Sequence, residues 1–282
     1  MAKSATPAPP PAPDVSLTGQ VMLYSRPELL SRETHGKLGV NPAPTRFGFA
    51  SGTHVCPLTV PEFGPAALSY PVIFVGEDYN PVVVMGLEEG QNLFATPELG
   101  FEVDAYIPCY IRRYPFVLAG AEGAQDGIEN RMLVGIDAAY PYIAEGAEYA
   151  FFEADGEPTQ YTKNCIQFCN DFDTQVRTTR NFVAMLKDLD LFEVRSAGFT
   201  PQNADGSPAG ETRKIADFFA VSEVKLNALP AEKLAELRSN GALQQIYAHL
   251  NSLFGWERLI VRAVARNNGF TSAMGAIPTA NS

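Results

Sequence analysis

The sequence is poor in the residues from which metal and acid–base sites are usually built. Its 282 residues include three histidines (His35, His54 and His249), four cysteines and one tryptophan. The histidines lie far apart in the chain and the cysteines form no Cys-x-x-Cys pair, so neither type shows the spacing of a metal-binding motif. We therefore predict no bound metal and no other cofactor.

The common nucleotide-binding and hydrolase motifs are also missing. The chain has no Gly-x-Gly-x-x-Gly after a strand, no Gly-x-x-x-x-Gly-Lys-[Ser/Thr], no His-Glu-x-x-His and no Gly-x-Ser-x-Gly. Each of these motifs places a phosphate, a metal or a nucleophile in a defined turn or helix. The sequence therefore assigns a catalytic role to no residue, and whether the chain is an enzyme stays open at this point.

Long apolar runs and an excess of basic residues are likewise absent. No stretch approaches the roughly 18 consecutive apolar residues of a membrane helix, so we predict no membrane span. Lys and Arg number 21 against 32 Asp and Glu, a net charge of −11. That balance argues against general nucleic-acid binding, which requires a basic face. No apolar segment typical of a secretory signal is seen, so we expect a cytoplasmic protein, with export by a signal-less route as the alternative.

The N-terminal half contains a series of short strand-like segments. Strands are predicted at residues 21–24 and 46–50, and a short helix over 62–70. The β-branched runs Val72–Val75 and 82–85 flank a loop-forming segment, which predicts an antiparallel hairpin. Further strands are predicted at 116–118 and 132–136, with a surface loop over 119–129 between them.

The C-terminal half is dominated by helical periodicity. Apolar residues three and four apart predict one long helix over 158–186, in which Cys165 and Cys169 are expected to be structural thiols. A strand pair is predicted at 191–196 and 214–221, around a turn-rich loop at 203–208. Helices follow over Ala231–Ser239 and from Ala242 onward, the last one interrupted at Gly255.

This order of elements predicts an α+β fold: a mostly antiparallel sheet from the N-terminal half, packed with C-terminal helices. A single domain is expected over residues 16–266. A Pro- and Ala-rich tail over 1–15 and a flexible C-terminal tail over 267–282 flank it.

Six residues are candidates for ligand binding: Glu62, Asn92, Arg112, Arg113, Tyr114 and His249. The run Arg112-Arg113-Tyr114 follows Tyr106 and Tyr110, and two guanidiniums beside aromatic rings suit a carboxylate or phosphate. The alternative is structural, with each Arg paired to an acidic residue and its stem packed on tyrosine rings.

The other three candidates carry similar alternatives. Glu62 opens a predicted helix, where the helix dipole favours it, or it acts as a general base. Asn92 either binds a ligand amide or caps its own turn. His249 lies at the edge of the last helix's apolar stripe, so it is a half-buried His bonded to a backbone carbonyl, or else a ligand or acid–base group.

Several segments, taken in order, resemble the SapC family of bacterial proteins, and the resemblance extends from about Leu23 to Leu259. The segments are Glu62-Phe63, Tyr70-Pro71-Val72-Ile73-Phe74, Gly86-Leu87 with Asn92-Leu93-Phe94, Tyr106-Ile107-Pro108 with Arg112-Arg113-Tyr114-Pro115-Phe116, Leu226-Asn227-Ala228-Leu229 and Tyr247-Ala248-His249-Leu250-Asn251-Ser252-Leu253. One departure is visible at Val221-Ser222-Glu223, where the family often has Val-Asp-Glu.

The resemblance implies a cellular role for the protein but no catalytic residues. The family takes its name from a protein associated with a bacterial surface layer, and its genes often lie near those of TonB-dependent receptors. We therefore expect a non-catalytic accessory or binding protein whose partners are envelope or uptake-system proteins. The alternative is an enzyme or carrier for an anionic small molecule, such as an amino acid or peptide, that uses Arg112, Arg113 and His249. A third hypothesis is an oligomerising scaffold with an interface near Trp256; the oligomeric state stays open.

Overall fold

The computed structural model of the chain describes residues 22–119, 133–200, 207–208 and 210–268. These residues are 39% helix and 24% strand, with antiparallel sheets mainly in the N-terminal half and helices mainly in the C-terminal half. The predicted α+β class is confirmed. Among the described residues, no helix is both long and apolar enough to cross a bilayer.

Most of the strands in the described residues are short, and two of them exceed five residues. They are β1 (Pro27–Leu29), β2 (Leu38–Val40), β3 (Val55–Pro57), β4 (Val72–Val75), β5 (Asn80–Val84), β6 (Ala95–Thr96), β7 (Gly100–Phe101), β8 (Phe116–Ala119), β9 (Leu133–Asp137), β10 (Ile143–Glu145), β11 (Tyr149–Ala150), β12 (Phe192–Phe199) and β13 (Arg213–Val221).

The helices range from one turn to 29 residues. They are α1 (Arg32–His35), α2 (Phe63–Ala67), α3 (Cys109–Arg112), α4 (Gln160–Asp188), α5 (Glu223–Asn227), α6 (Ala231–Ser239), α7 (Ala242–Ser252) and α8 (Gly255–Asn268), with 3₁₀ turns at Gly48–Gly52 and Val60–Glu62.

The chain forms two compact units. Of the described residues, one unit contains those up to Asn41 and those within Pro115–Ile166, and the other contains Pro42–Tyr114 and those from Gln167 onward. The single domain predicted over 16–266 stays a prediction, as do its flanking tails. All six candidate residues belong to the second unit.

The first unit contains two small antiparallel sheets, with strand orders β1-β9-β8 and β10-β2-β11. Asp137, at the end of β9, is fully buried. Its carboxylate accepts hydrogen bonds from the backbone N–H of Ser25 (2.9 Å) and of Arg26 (2.8 Å). A buried carboxylate is stable only when it is bonded in this way, so these contacts fix the chain that enters β1.

The second unit is built on a five-stranded antiparallel sheet with strand order β12-β13-β4-β5-β3. The predicted hairpin is present as β4 and β5, with Val72 opposite Val83. The second predicted pair is present as β12 and β13, which pair along their whole length. In contrast, β13 and β4 pair at one position only, Phe219 opposite Phe74.

Aromatic rings join the helices of this unit to its sheet. The ring of Phe74 on β4 lies 6.1 Å from that of Phe63 on α2 and 5.0 Å from that of Phe192 on β12. Phe63 also contacts Phe182 on α4 at 6.0 Å, edge to face. All four are buried, and such pairs stabilise beyond simple burial. This cluster explains the apolar stripe that predicted the long helix.

Two of the predicted strands are wrong. The described part of 21–24 is a turn in which Leu23 has φ 77°, and residues 46–50 lead into the 3₁₀ turn Gly48–Gly52, after Phe47 with φ 55°. A residue with positive φ cannot continue an extended strand. Of the predicted loops, 119–129 lies outside the described residues apart from Ala119, and 203–208 lies outside them apart from 207–208.

Candidate functional site

Arg112 is a surface cation held on an aromatic platform. Pro108 precedes the single turn of α3, and Arg112 is the last residue of that turn. Its guanidinium carbon lies 5.7 Å from the ring centre of Tyr106 and 5.5 Å from that of Phe168 on α4. Its Nη2 donates to Tyr106 Oη (3.2 Å) and to Cys109 Sγ (2.8 Å). The side chain is therefore exposed but oriented.

Arg113 lies between a second pair of rings. Its guanidinium carbon is 4.3 Å from the ring centre of Tyr110 and 4.7 Å from that of Phe172. Tyr110 follows Tyr106 by four residues in the sequence. On α4, Phe172 likewise follows Phe168 by four residues. With this equal spacing, each guanidinium has one tyrosine ring and one phenylalanine ring within cation–π distance. Half of the structural alternative is therefore correct: the arginines do pack on tyrosines.

The other half of that alternative, pairing with an acidic residue, is not met by Arg112. Among the described residues Arg112 forms no ion pair with a carboxylate, since none of the salt bridges there includes it. Its contacts are a phenol, a thiol and two rings. A guanidinium has five N–H donors, so Arg112 keeps donors that an anion at the surface can accept from.

Glu62 lies beneath this platform and is buried, with 3% of its surface exposed. One carboxylate oxygen accepts from Tyr106 Oη (3.0 Å) and from the backbone N–H of Cys109 (2.6 Å). The other accepts from the backbone N–H and the hydroxyl of Thr59, at 3.0 and 2.7 Å. Glu62 thus closes a capping box with Thr59, and Tyr106 connects its carboxylate to Arg112.

The acidic groups around Glu62 stay protonated at neutral pH. Burial, and then the nearby Glu62, raise the pKa of the Cys109 thiol to about 11. The same two causes raise the pKa of the Tyr106 phenol well above its usual value. Because the thiolate is the nucleophilic form of cysteine, Cys109 is not an activated nucleophile. It contributes a neutral sulfur that receives a hydrogen bond from Arg112.

Asn92 is fully buried and holds a turn together. Its Nδ2 donates to the carbonyl of Ala50 (3.0 Å), and its Oδ1 accepts from the backbone N–H of Phe94 (2.9 Å). These are the bonds of an asparagine that caps local backbone. Tyr114, another of the six candidates, is half-buried, and the centre of its ring lies 4.4 Å from the ring centre of Phe49.

His249 is a bridge between two strands. Its Nε2 accepts from the backbone N–H of Val221 on β13 (3.0 Å), and its Nδ1 lies 2.9 Å from the carbonyl of Val72 on β4. These contacts require the tautomer with the proton on Nδ1. Val72 and Val221 would face each other if the pairing of Phe74 with Phe219 continued, so the imidazole occupies the place of direct strand-to-strand bonds.

Burial governs the titration of His249. The ring is fully buried, not half-buried as its position in the stripe predicted, although the predicted bond to a backbone carbonyl is present. Burial lowers the pKa of the imidazole to about 4, so the ring is neutral at pH 7. With both nitrogens bonded to backbone, His249 carries a structural role in the fold.

The structure therefore links two of the candidate residues and leaves two others apart. Glu62 and Arg112 are linked through Tyr106, whereas Asn92 and His249 have their own backbone partners. The sequence reasoning missed Thr59 as the partner of Glu62. The pattern Thr-x-x-Glu at residues 59–62 is the sequence signature of a capping box and could have revealed it.

No metal centre is evident in the parts of the chain that the structure describes, where no group of three His, Cys, Asp or Glu side chains could hold an ion. The cysteines there are free thiols, with Cys56, Cys109 and Cys169 buried and Cys165 half-buried.

Comparison with known proteins agrees with the motifs. The sequence matches the SapC family over residues 30–259, which is most of the chain, and the chain belongs to this family. A search of curated proteins finds no match, and neither does a search of solved structures.

Proposed function

We propose that this chain is a non-catalytic binding protein, an accessory component of a bacterial surface layer or of a TonB-dependent uptake system. The observation that supports this is the bonding of its best acid–base candidates. Both ring nitrogens of His249 and both carboxylate oxygens of Glu62 are bonded inside the fold. A general acid or base must reach the substrate by a hydrogen bond. The link to the envelope comes from the family name and its genetic neighbourhood.

Partner capture in the native host tests the proposal. Cells that express the tagged full chain are crosslinked before lysis, and the recovered proteins are quantified against an untagged strain. We expect enrichment of a surface-layer protein or a TonB-dependent receptor. Recovery of no envelope or uptake component, together with an exclusively cytoplasmic chain on fractionation, would contradict the proposal.

A second function, binding of an anionic small molecule such as an amino acid or peptide, is favoured by Arg112. Its exposed guanidinium is oriented by Tyr106 and Cys109 and, among the described residues, has no carboxylate partner. Arg recognises carboxylates through paired N–H donors, which Lys cannot reproduce. The chemistry at this surface therefore suits a carboxylate-bearing ligand.

Ligand binding is measured in two stages. Native mass spectrometry of protein purified gently from its host shows whether a small molecule copurifies. Calorimetry with amino acids and short peptides then compares the wild type with Arg112→Gln and with Arg258→Gln, an exposed arginine on α8. We expect Arg112→Gln to weaken binding about tenfold or more and Arg258→Gln to leave it unchanged. Equal binding by both variants would eliminate Arg112 as the anion site. If the ligand is recovered chemically unchanged after incubation with the protein, the protein is a carrier. If the ligand is converted to a product, the protein is an enzyme.

A further inference from the structure

The strand β12 lies at the edge of the five-stranded sheet. One side of it pairs with β13 over eight residues. On its other side no strand pairs with it within the part of the chain that the structure describes. An unpaired edge exposes a row of backbone donors and acceptors, to which a strand of another chain can add.

The direction of these backbone groups follows from the ladder with β13. The N–H of Ser222 donates to the carbonyl of Leu191 (2.8 Å), so residue 222 faces β12. Because the direction alternates along a strand, Phe219 faces away from β12 and pairs with β4. Its opposite residue, Val194, consequently directs its own N–H and C=O outward. The Val194 side chain is 67% exposed.

The same alternation directs the backbone groups of Phe192 and Ser196 outward. The carbonyl of Phe192 accepts from Lys225 Nζ at 2.9 Å, and a carbonyl has a second lone pair for another donor. Three alternate residues of β12 are therefore arranged to receive an antiparallel strand.

The charged side chains on either side of Val194 can pair with the opposite charges on a second copy of β12. Glu193 and Arg195 lie on one face of β12, where they form an ion pair of 2.7 Å. If a second β12 runs antiparallel with Val194 opposite Val194, Glu193 of each copy faces Arg195 of the other. If the two-fold axis lies at residue 193 instead, Glu193 faces Glu193 of the other copy. If it lies at residue 195, Arg195 faces Arg195. Opposite charges across a strand pair stabilise it and like charges destabilise it, so the charges select one register.

We propose that two copies of this chain associate through β12, antiparallel, with the two-fold axis at Val194. Outward N–H and C=O groups of the two Val194 residues bond each other, and those of Phe192 bond those of Ser196. The two sheets then form one continuous sheet, and the interface is isologous, as in most two-fold dimers. A single strand pair buries little area compared with a stable interface, so the dimer is weak and depends on concentration.

Sedimentation velocity of the full chain over a concentration series measures this dimer. We expect Arg195→Glu to weaken dimerisation about tenfold or more, because both cross-strand pairs become repulsive. The double variant E193R/R195E restores opposite charges in the same register and should restore the dimer. Val194→Pro removes an outward N–H that the ladder with β13 does not use, so it should give a folded monomer.

Crosslinking identifies the register directly. Val194→Cys places two thiols across the axis, where paired backbones are about 5.5 Å apart at Cα, close enough for a disulfide. Mild oxidation should crosslink this variant, whereas the matched control Ser196→Cys and the wild type should stay monomeric in denaturing gels. A wild-type protein that remains monomeric at every concentration overturns the proposal. So does a dimer that persists unchanged in Val194→Pro.

Discussion

Replacing His249 with Phe should destabilise the protein almost as much as replacing it with Ala. Phe keeps a ring near Phe74, whose centre lies 5.0 Å from the imidazole, but it bonds neither Val221 N–H nor Val72 C=O. Leaving a buried polar group unbonded costs about 1–3 kcal/mol. In the described residues the acceptor of the Val221 N–H is His249 Nε2, whereas Val72 C=O also lies 3.4 Å from Ser252 Oγ. We expect a loss of about 2–4 kcal/mol for Phe, and about 1 kcal/mol more for Ala through lost packing.

The assay is urea unfolding followed by circular dichroism, with His249→Gln as the conservative variant. Gln carries one donor and one acceptor, so it should recover part of the loss. A protein of ordinary stability has about 5–15 kcal/mol in total, so the midpoint should shift clearly. If His249→Phe lies within about 0.5 kcal/mol of the wild type, the imidazole bridge does not stabilise the sheet and the reasoning fails.

The pH dependence of unfolding gives an independent check on the same residue. The pKa of His249 is about 4 in the fold and about 6.5 in an unfolded chain. Between these two pKa values the unfolded state binds more protons than the folded state. The contribution of the neutral His249 to the free energy of unfolding is therefore complete above pH 6.5 and is lost as the pH falls towards 4. The total effect is roughly 3 kcal/mol. His35 and His54 are present in wild type and variant alike, so the difference between wild type and His249→Gln isolates it.

Three further outcomes follow from the contacts. Glu62→Gln replaces one oxygen of a buried carboxylate that accepts four hydrogen bonds with an NH2 donor and should cost about 2–4 kcal/mol in urea unfolding; an unchanged midpoint would show that these four bonds do not stabilise the fold. A thiol reagent at pH 7 should label the half-buried Cys165 before the buried Cys109, as mass spectrometry of the modified peptides can show. Gly86→Ala places a methyl against a backbone carbonyl, whereas the matched Gly64→Ala meets nothing within 4 Å. Only the first should lower the melting temperature, by the equivalent of about 1–3 kcal/mol.

Local patterns predicted the elements whose signal is itself local. The β-branched runs of β4 and β5 and the 3–4 spacing of α4 are visible without knowledge of the rest of the fold. Residues 46–50 do not form the predicted strand because Phe47 adopts a positive φ, which composition does not reveal. The strands of the first unit, two to five residues long, give too short a pattern to detect by alternation.

The candidate site was predictable in its parts and not in its connections. The spacing of Tyr106 and Tyr110 ahead of the two arginines is evident in the sequence. That Phe168 and Phe172, each 62 residues after one of these tyrosines, supply the opposite rings depends on how α4 packs. His249 was placed correctly on its helix, but its burial comes from insertion between two strands that are distant in sequence, which no helical pattern can show.

The seam between β13 and β4 has a consequence for local unfolding. Across it, the hydrogen bonding seen between the described strands consists of one backbone pair, Phe219 with Phe74, and one imidazole, whereas β12 and β13 pair along their length. Proteins open in cooperative units whose boundaries follow the sparsest contacts. Amide hydrogens of the β12–β13 hairpin should therefore exchange as one group, separately from β4 and β5. The Val221 amide, which donates to a ring nitrogen, would report the opening of the seam.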